Sequence, residues 1–217
     1  MGRNSKKSVW DSRVLRGNVY HAAKRGIDVA GALAGLMFLF IVFLPMVAFI
    51  KADSRGPIFF VQTRVGQYGH RFKFLKFRTM RVGAHLRQWE LDNLNESGGI
   101  TFKISNDPRI TRVGRVLRRT SLDELPQFWN VLRGEMSLVG PRPPLLREVS
   151  QYNEIQKVRM TVPQGMTGLW QVRGRSNLKF DDMVDLDVYY ALHASLAIDV
   201  EIIMATIPTV LLGRGAV

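Results

Sequence analysis

From Val29 to Ile50 the chain reads VAGALAGLMFLFIVFLPMVAFI, 22 residues without a charge. A helix rising about 1.5 Å per residue needs about 20 residues to cross the hydrocarbon core of a bilayer. The run is long for a helix buried in a water-soluble protein. A cleaved signal peptide fits poorly, because the run starts late, exceeds a usual signal core and lacks a small-x-small site before Lys51. The flanks constrain its path further. Lys6, Lys7, Arg13, Arg16, Lys24 and Arg25 precede it, and Lys51, Arg55, Arg64, Arg71, Lys73 and Lys76 follow. A simple span would carry one strongly basic flank to the outer side, against the positive-inside rule. A helix that enters, bends and returns to the same face removes that conflict. Pro45, lacking an N–H and crowding the preceding turn, supplies the bend. A spanning helix with a tolerated proline kink is the competing reading.

The 217 residues suffice for one medium-sized domain, and a hydrophobic share of 46% allows an ordered core. With 31 Lys and Arg against 18 Asp and Glu, the formal charge is +13. Such a surface attracts nucleic acid, anionic lipid headgroups or phosphorylated substrates, and charge alone does not choose among them. The absence of cysteine excludes disulfides, thiolate metal sites and a thiol nucleophile. His21, His70, His85 and His193 are scattered, with no His-x-x-x-His zinc spacing.

Residues 1–23 read as a basic arm, 27–50 as the re-entrant helix and 57–217 as a catalytic region. PIFFVQTRV (57–65), the turn at Gly66 and Gly69, and RFKFLKF (71–77) predict a hairpin with one apolar and one cationic face. A short amphipathic helix is expected over 84–96, ending at Gly98–Gly99. A basic one is expected over 109–119, with Ile110, Val113, Val116 and Leu117 on one side, suited to an anionic membrane surface. Further helices are predicted at 127–133, 179–193 and 196–212, with GPRPP (140–144) as a stiff extended loop. The last helix carries Asp199 and Glu201, so it is expected to dock on the anchor or rest at the interface rather than span. The fold class is therefore α+β and membrane-associated.

Chemistry concentrates in RRTSLDELPQFWNVLRGEMSLVGPR (118–142), where Asp123 and Glu124 sit among Arg115, Arg118, Arg119, Arg133 and Arg142. Adjacent carboxylates in a cationic setting can bind a divalent metal while one attacks phosphorus or takes a proton. The arginines would grip phosphate oxygens. Ser121-x-x-Glu124 equally fits a helix capping box, and spacing alone divides the two readings evenly. QVRGR (171–175) and LVGPRP (138–143) are further candidate anion sites. No Walker loop, GxGxxG or GxSxG is present.

The blocks KRGID (24–28), PIFFVQTRVG (57–66), FKFLKFRTM (72–80), DPRITRVGRVLRRTSLDELPQFWNVLRGEMSLVGPRP (107–143), MTGLWQVRGR (166–175) and DVYYALHASLAIDV (187–200) occur in order. In them the chain resembles the bacterial sugar transferase family, the monotopic polyprenyl-phosphate phosphoglycosyl transferases. The resemblance implies transfer of a sugar-1-phosphate from a UDP-sugar to undecaprenyl phosphate, releasing UMP, as the first membrane step of O-antigen, capsule or exopolysaccharide assembly. It implies Asp123 as covalent nucleophile, Glu124 as its assistant, and Mg²⁺ held at the dyad. Arg118 and Arg142 are implied as phosphate ligands, with Lys76, Arg78 and Arg175 as further candidates. The implied location is the bacterial inner membrane with the site facing the cytoplasm. The implied anchor is re-entrant and broken near a proline, although Leu44 stands where some members have serine. Longer members carry N-terminal spans and a nucleotide-fold domain, so this sequence is a short form or the catalytic part of one. Anionic lipid is an expected partner and nucleic acid is not: the Phe-rich hairpin is the only stacking surface, and its apolar face suits core or lipid better. Pairing into a homodimer is left open by the sequence.

Overall fold

The computed structural model describes residues 17–84, 86, 89–96, 100–102, 104–175 and 178–211. Most of the basic arm, His85 and the Gly98–Gly99 break lie outside the described residues. Helix α1 runs from Asn18 to Asp53, 36 residues with Pro45 inside, and so starts earlier than the apolar run. Strands β1 (Phe59–Val65) and β2 (Arg71–Phe77) form the expected antiparallel hairpin, with Phe59 opposite Phe77 and Val65 opposite Arg71. Its turn uses Tyr68 and Gly69 at positive φ. Phe72, Phe74 and Phe77 point into the protein while Arg71 and Lys73 face outward.

Helix α2 (Arg112–Arg119) and α3 (Gln127–Leu132) follow, then β3 (Ser137–Val139) and the short helices α4 (Leu146–Val149) and α5 (Glu154–Lys157). Strand β4 (Gly165–Thr167) pairs with β3 in parallel, a contact the sequence did not signal. Helices α6 (Leu169–Arg173), α7 (Phe180–His193) and α8 (Leu196–Leu211) complete the described chain. Among the described residues of 84–96 there is no α-helix. A turn at Val82–Ala84 precedes a single 3-10 segment, Trp89–Leu94, in which no residue is buried. Without a buried stripe, an isolated helix of that length has no packing to offset its nucleation cost. On α2, Leu117 and Gly114 are buried and Val113 is half-buried, but Val116 is exposed between the exposed Arg112, Arg115 and Arg119.

Helix α1 meets the rest of the protein along one stripe. Asp28, Ala32, Leu39, Phe43, Met46 and Ile50 recur at helical spacing, and all pack or bond inward. Gly31 and Gly35 belong to the same face. A Cβ at Gly35 would fall 2.3 Å from the Phe128 ring, so glycine is what lets α3 lie against α1. The opposite side leaves Met37, Phe38, Phe40, Ile41 and Leu44 exposed. Both ends are tied down. At the start, Arg25 donates to the Val131 and Leu132 carbonyls, and Asp28 accepts from the Ser137 hydroxyl and the Leu138 N–H. At the finish, Asp53 accepts from the Val113 N–H at 2.9 Å.

Lys24 closes a buried cluster. Its ammonium donates to Asp199 of α8 at 3.0 Å and to the Val139 carbonyl at 3.0 Å, while Tyr190 donates to Asp199 at 2.6 Å. This accounts for Asp199 in the last helix, which also carries Glu201, and it docks that helix on α1, the first of the two placements the sequence allows. Nearby, Arg159 pairs with Asp187 inside the α5–α7 region and donates to the Tyr152 hydroxyl. Burial holds the Asp187 carboxyl up at about 6 despite that partner. Removing one member of a buried ion pair costs about 3–5 kcal/mol, because the other is left unpaired. Lys24→Ala should lose about that much in denaturant unfolding in detergent, and Lys24→Met with Asp199→Leu should recover part of it. Unchanged unfolding in Lys24→Ala would remove this cluster from the stability of the fold.

Candidate active site

The site is built on the link between α2 and α3. Thr111 caps α2, its hydroxyl accepting from the Gly114 N–H at 3.0 Å. Gly114 presses on Thr79, two residues past the end of β2: a Cβ there would stand 2.0 Å from the Thr79 carbonyl oxygen, so only glycine permits the approach. The Thr79 carbonyl also accepts from the Thr111 N–H at 3.0 Å. α2 is thereby fixed to the end of the hairpin. After α2 the chain turns sharply at Ser121, held in the left-handed region at φ 56°, and makes one 3-10 turn, Leu122–Glu124. Pro126 then occupies the N-cap position of α3.

This geometry overturns the capping-box alternative. Ser121 makes no side-chain cap bond, and the dyad lies in the 3-10 turn before α3 rather than in the first turn of a helix capped by Ser121. Instead the turn directs Asp123 inward, 3% exposed, where its carboxylate meets the Lys76 ammonium of β2 at 3.3 Å. The Glu124 carboxyl is pushed above the ordinary glutamate range, first by enclosure and then by the Asp123 carboxylate beside it. Lys76, Arg142 and Arg175 pull it the other way without prevailing. A carboxyl held above its unfolded value opposes folding as it ionises, so the protein loses stability here as pH rises through that raised value. Such a cost is typical of a group kept for chemistry.

The structure brings four of the five candidate cations to the dyad. Arg118, at the end of α2, donates from Nε to the Thr79 hydroxyl at 3.0 Å. Burial lowers its pKa, chiefly against the opposing charge of Asp123. Arg142 stands in the extended segment after β3, and Arg175 follows α6 with φ 50° and Nε donating to the Gln171 carbonyl at 3.2 Å. Arg175 is lowered by burial, with Glu124 opposing. Arg78 is placed differently. Its terminal nitrogens donate to the Arg55 and Ser54 carbonyls, both at 2.7 Å, just past the end of α1. That guanidinium secures the exit of the anchor.

Several residues went unnoticed in the sequence. Asp107 and Arg109 form a buried pair behind Arg118, with Arg109 also over the Phe102 ring. Gln127, 2% exposed, has an amide nitrogen with no hydrogen-bond partner. The alternating apolar pattern of KFLKFRTM shows that its side chains divide between two faces, but not which neighbours Thr79 would meet. For a metal, the described residues offer no group of three or more His, Asp or Glu side chains, only the dyad. Two hard oxygen donors fit a divalent cation that completes its shell with water and ligand phosphates. Arg175→Ala should raise the Glu124 carboxyl further, because it removes a charge that favours ionisation; carboxyl-carbon NMR across pH reads this directly. An unmoved Glu124 titration would separate Arg175 from the dyad.

Residues 19–213 match the family described as bacterial sugar transferase. The chain is 49% identical over 195 residues to the galactosyl transferase CpsE of Streptococcus agalactiae, covering 89% of this chain and 43% of that protein. It is 41% identical over 198 residues to the exopolysaccharide production protein ExoY of Rhizobium meliloti, covering 89% and 88%. It is 40% identical over 174 residues to the undecaprenyl-phosphate galactose phosphotransferase of Salmonella typhimurium, covering 74% and 35%. The chain thus spans less than half of CpsE and of the Salmonella protein, and nearly all of ExoY.

Proposed function

Because the chain belongs to the bacterial sugar transferase family, we propose that it transfers a sugar-1-phosphate from a UDP-sugar to undecaprenyl phosphate. The observation that carries the proposal is the inward-facing Asp123, paired with Lys76 and adjoining a raised Glu124, inside a ring of Arg118, Arg142 and Arg175. A carboxylate enclosed with cations can approach a diphosphate that would otherwise repel it.

An Asp123 carboxylate oxygen forms a bond to the β-phosphorus of the donor. The bond from that phosphorus to the bridging oxygen breaks, and UMP leaves with the oxygen and its electron pair. A phosphate oxygen of undecaprenyl phosphate then bonds to the same phosphorus, and the Asp123–phosphorus bond breaks. The products are undecaprenyl-diphosphate-sugar and a free Asp123 carboxylate. Lys76 holds Asp123 in place before attack, and Arg118 and Arg142 grip phosphate oxygens and offset their charge as it shifts. Glu124, its carboxyl held above the ordinary range by burial and by Asp123, takes the proton of the incoming lipid phosphate. Mg²⁺ fits the dyad, where Asp123 and Glu124 would hold it, and when bound it supplies charge neutralisation to the diphosphate.

The anchor supports a membrane location with the site on the cytoplasmic side. Both charged ends of α1 bond to the same body, Arg25 and Asp28 at one and Asp53 at the other. Ties to one body at both ends support a path that returns to the same face, with the exposed apolar side, Met37, Phe38, Phe40, Ile41 and Leu44, turned to the bilayer. The exposed arginines of α2 suit anionic headgroups beside it.

UMP release from a panel of UDP-sugars, UDP-galactose first given the names of the relatives, should require undecaprenyl phosphate for turnover and vanish in Asp123→Asn. Wild-type turnover in that variant would remove Asp123 as nucleophile; no release from any donor by folded protein would remove the proposed reaction. The chain has no cysteine, so Val19→Cys and Arg55→Cys each give a single label site. Both should react only with a membrane-impermeant thiol reagent applied from the cytoplasmic side. Labelling from opposite sides would replace the re-entrant path with a span.

A further inference from the structure

Arg118 is set among charges but hydrogen-bonded to a neutral group. Asp107, the nearest acid behind it, is taken by Arg109, whose Nε and one terminal nitrogen both donate to that carboxylate. Asp123 is paired with Lys76. Among the described residues, the hydrogen bond that fixes the Arg118 guanidinium is the one from its Nε to the Thr79 hydroxyl, at 3.0 Å.

Thr79 is suited to hold something still. It is 3% exposed, its carbonyl accepts from the Thr111 N–H at 3.0 Å, and Gly114 packs so closely on that carbonyl that no side chain fits between them. Its β-branched side chain has few rotamers to sample. The hydroxyl is therefore a rigid acceptor on the same rigid joint that carries Arg118. A guanidinium held at Nε keeps both terminal nitrogens in a fixed fork, the geometry that matches two oxygens of one phosphate. The neutrality of the acceptor matters as well. A carboxylate in its place would orient Arg118 equally but cancel much of its charge, whereas a hydroxyl orients it and leaves its full charge for the ligand.

We propose that Thr79 is a positioning residue: its hydroxyl pins Arg118 Nε so that the terminal nitrogens of Arg118 present a preset fork to a phosphate of the donor diphosphate. This rests on the reading of Arg118 as a phosphate ligand. Thr79→Val keeps the shape and removes the acceptor, while Thr79→Ser keeps the acceptor. Loss of a hydrogen bond to a charged group, with the looser geometry that follows, should lower kcat/KM for the UDP-sugar about tenfold in Thr79→Val. Thr79→Ser should stay near wild type, and Thr79→Val should add little when Arg118→Ala is already present.

The experiment is UMP-release kinetics on these four variants in the full chain, with thermal unfolding of each. Impairment of Arg118→Ala with wild-type kinetics in Thr79→Val overturns the positioning role and leaves the phosphate role standing. Wild-type kinetics in both overturns the phosphate role, and the positioning role with it. Equal impairment of Thr79→Val and Thr79→Ser, with a matching drop in melting temperature, makes Thr79 a packing residue and likewise overturns the proposal. If the double variant is impaired by the full product of the single effects, Thr79 acts independently of Arg118 and the proposal fails.

Discussion

Helix α1 must satisfy two solvents along its length. One side presents large apolar residues outward, and the other must fit a polar, strongly basic body closely enough to leave no gap. The fit depends on small residues at the contact, Gly31, Ala32 and Gly35, against Leu138 and Phe128. It is fixed by polar ties at the ends, where Asp28 reaches the first residues of β3 and Asp53 reaches the start of α2. Those two ties place β3 and α2, and α2 with the hairpin places the dyad. The position of the Asp123–Glu124 turn relative to α1 thus follows from a few hydrogen bonds at the ends of an apolar helix.

The elements with strong local patterns were legible from the chain. The anchor, the hairpin and the helices over 109–119, 127–133, 179–193 and 196–212 each have a periodicity or punctuation that survives in the structure. The β3–β4 pair was not legible, because two three-residue strands carry too few side chains to show a period of two. The inward stripe of α1 was hidden for the opposite reason. When every residue is apolar, composition gives no contrast between the face that meets protein and the face that does not. Val116 was grouped with Ile110, Val113 and Leu117 on one apolar side of α2; within the protein that helix buries Leu117 and Gly114, the second of which a search for large apolar residues passes over, and leaves Val116 exposed.

The same contrast holds at the site. Asp123 and Glu124 stood out because paired acids in a basic stretch are unusual, yet their spacing fitted a helix cap as well as a reactive pair. In the structure Ser121 stands in left-handed backbone and its side chain makes no capping bond, so the cap reading lacks its hydrogen bond. Arg78 shows how little a motif says about direction. It lies two residues from Lys76 on the same strand end, and while Lys76 meets Asp123, Arg78 meets the carbonyls that follow the anchor. Charge in a sequence reports what a region needs in sum, and only packing decides which guanidinium does which task.

The Lys24–Asp199 pair joins residues 175 positions apart. On a ribosome the lysine emerges long before its partner exists, and so do Tyr190 and most of the surface that later covers it. During that interval the ammonium has solvent and the Asp28 carboxylate, one helical turn further on, for company. Closure of the pair is then among the last events of assembly, after α8 has been made. The last helix is thus locked onto the first only after everything between them has been made, and the order of synthesis becomes the order of construction.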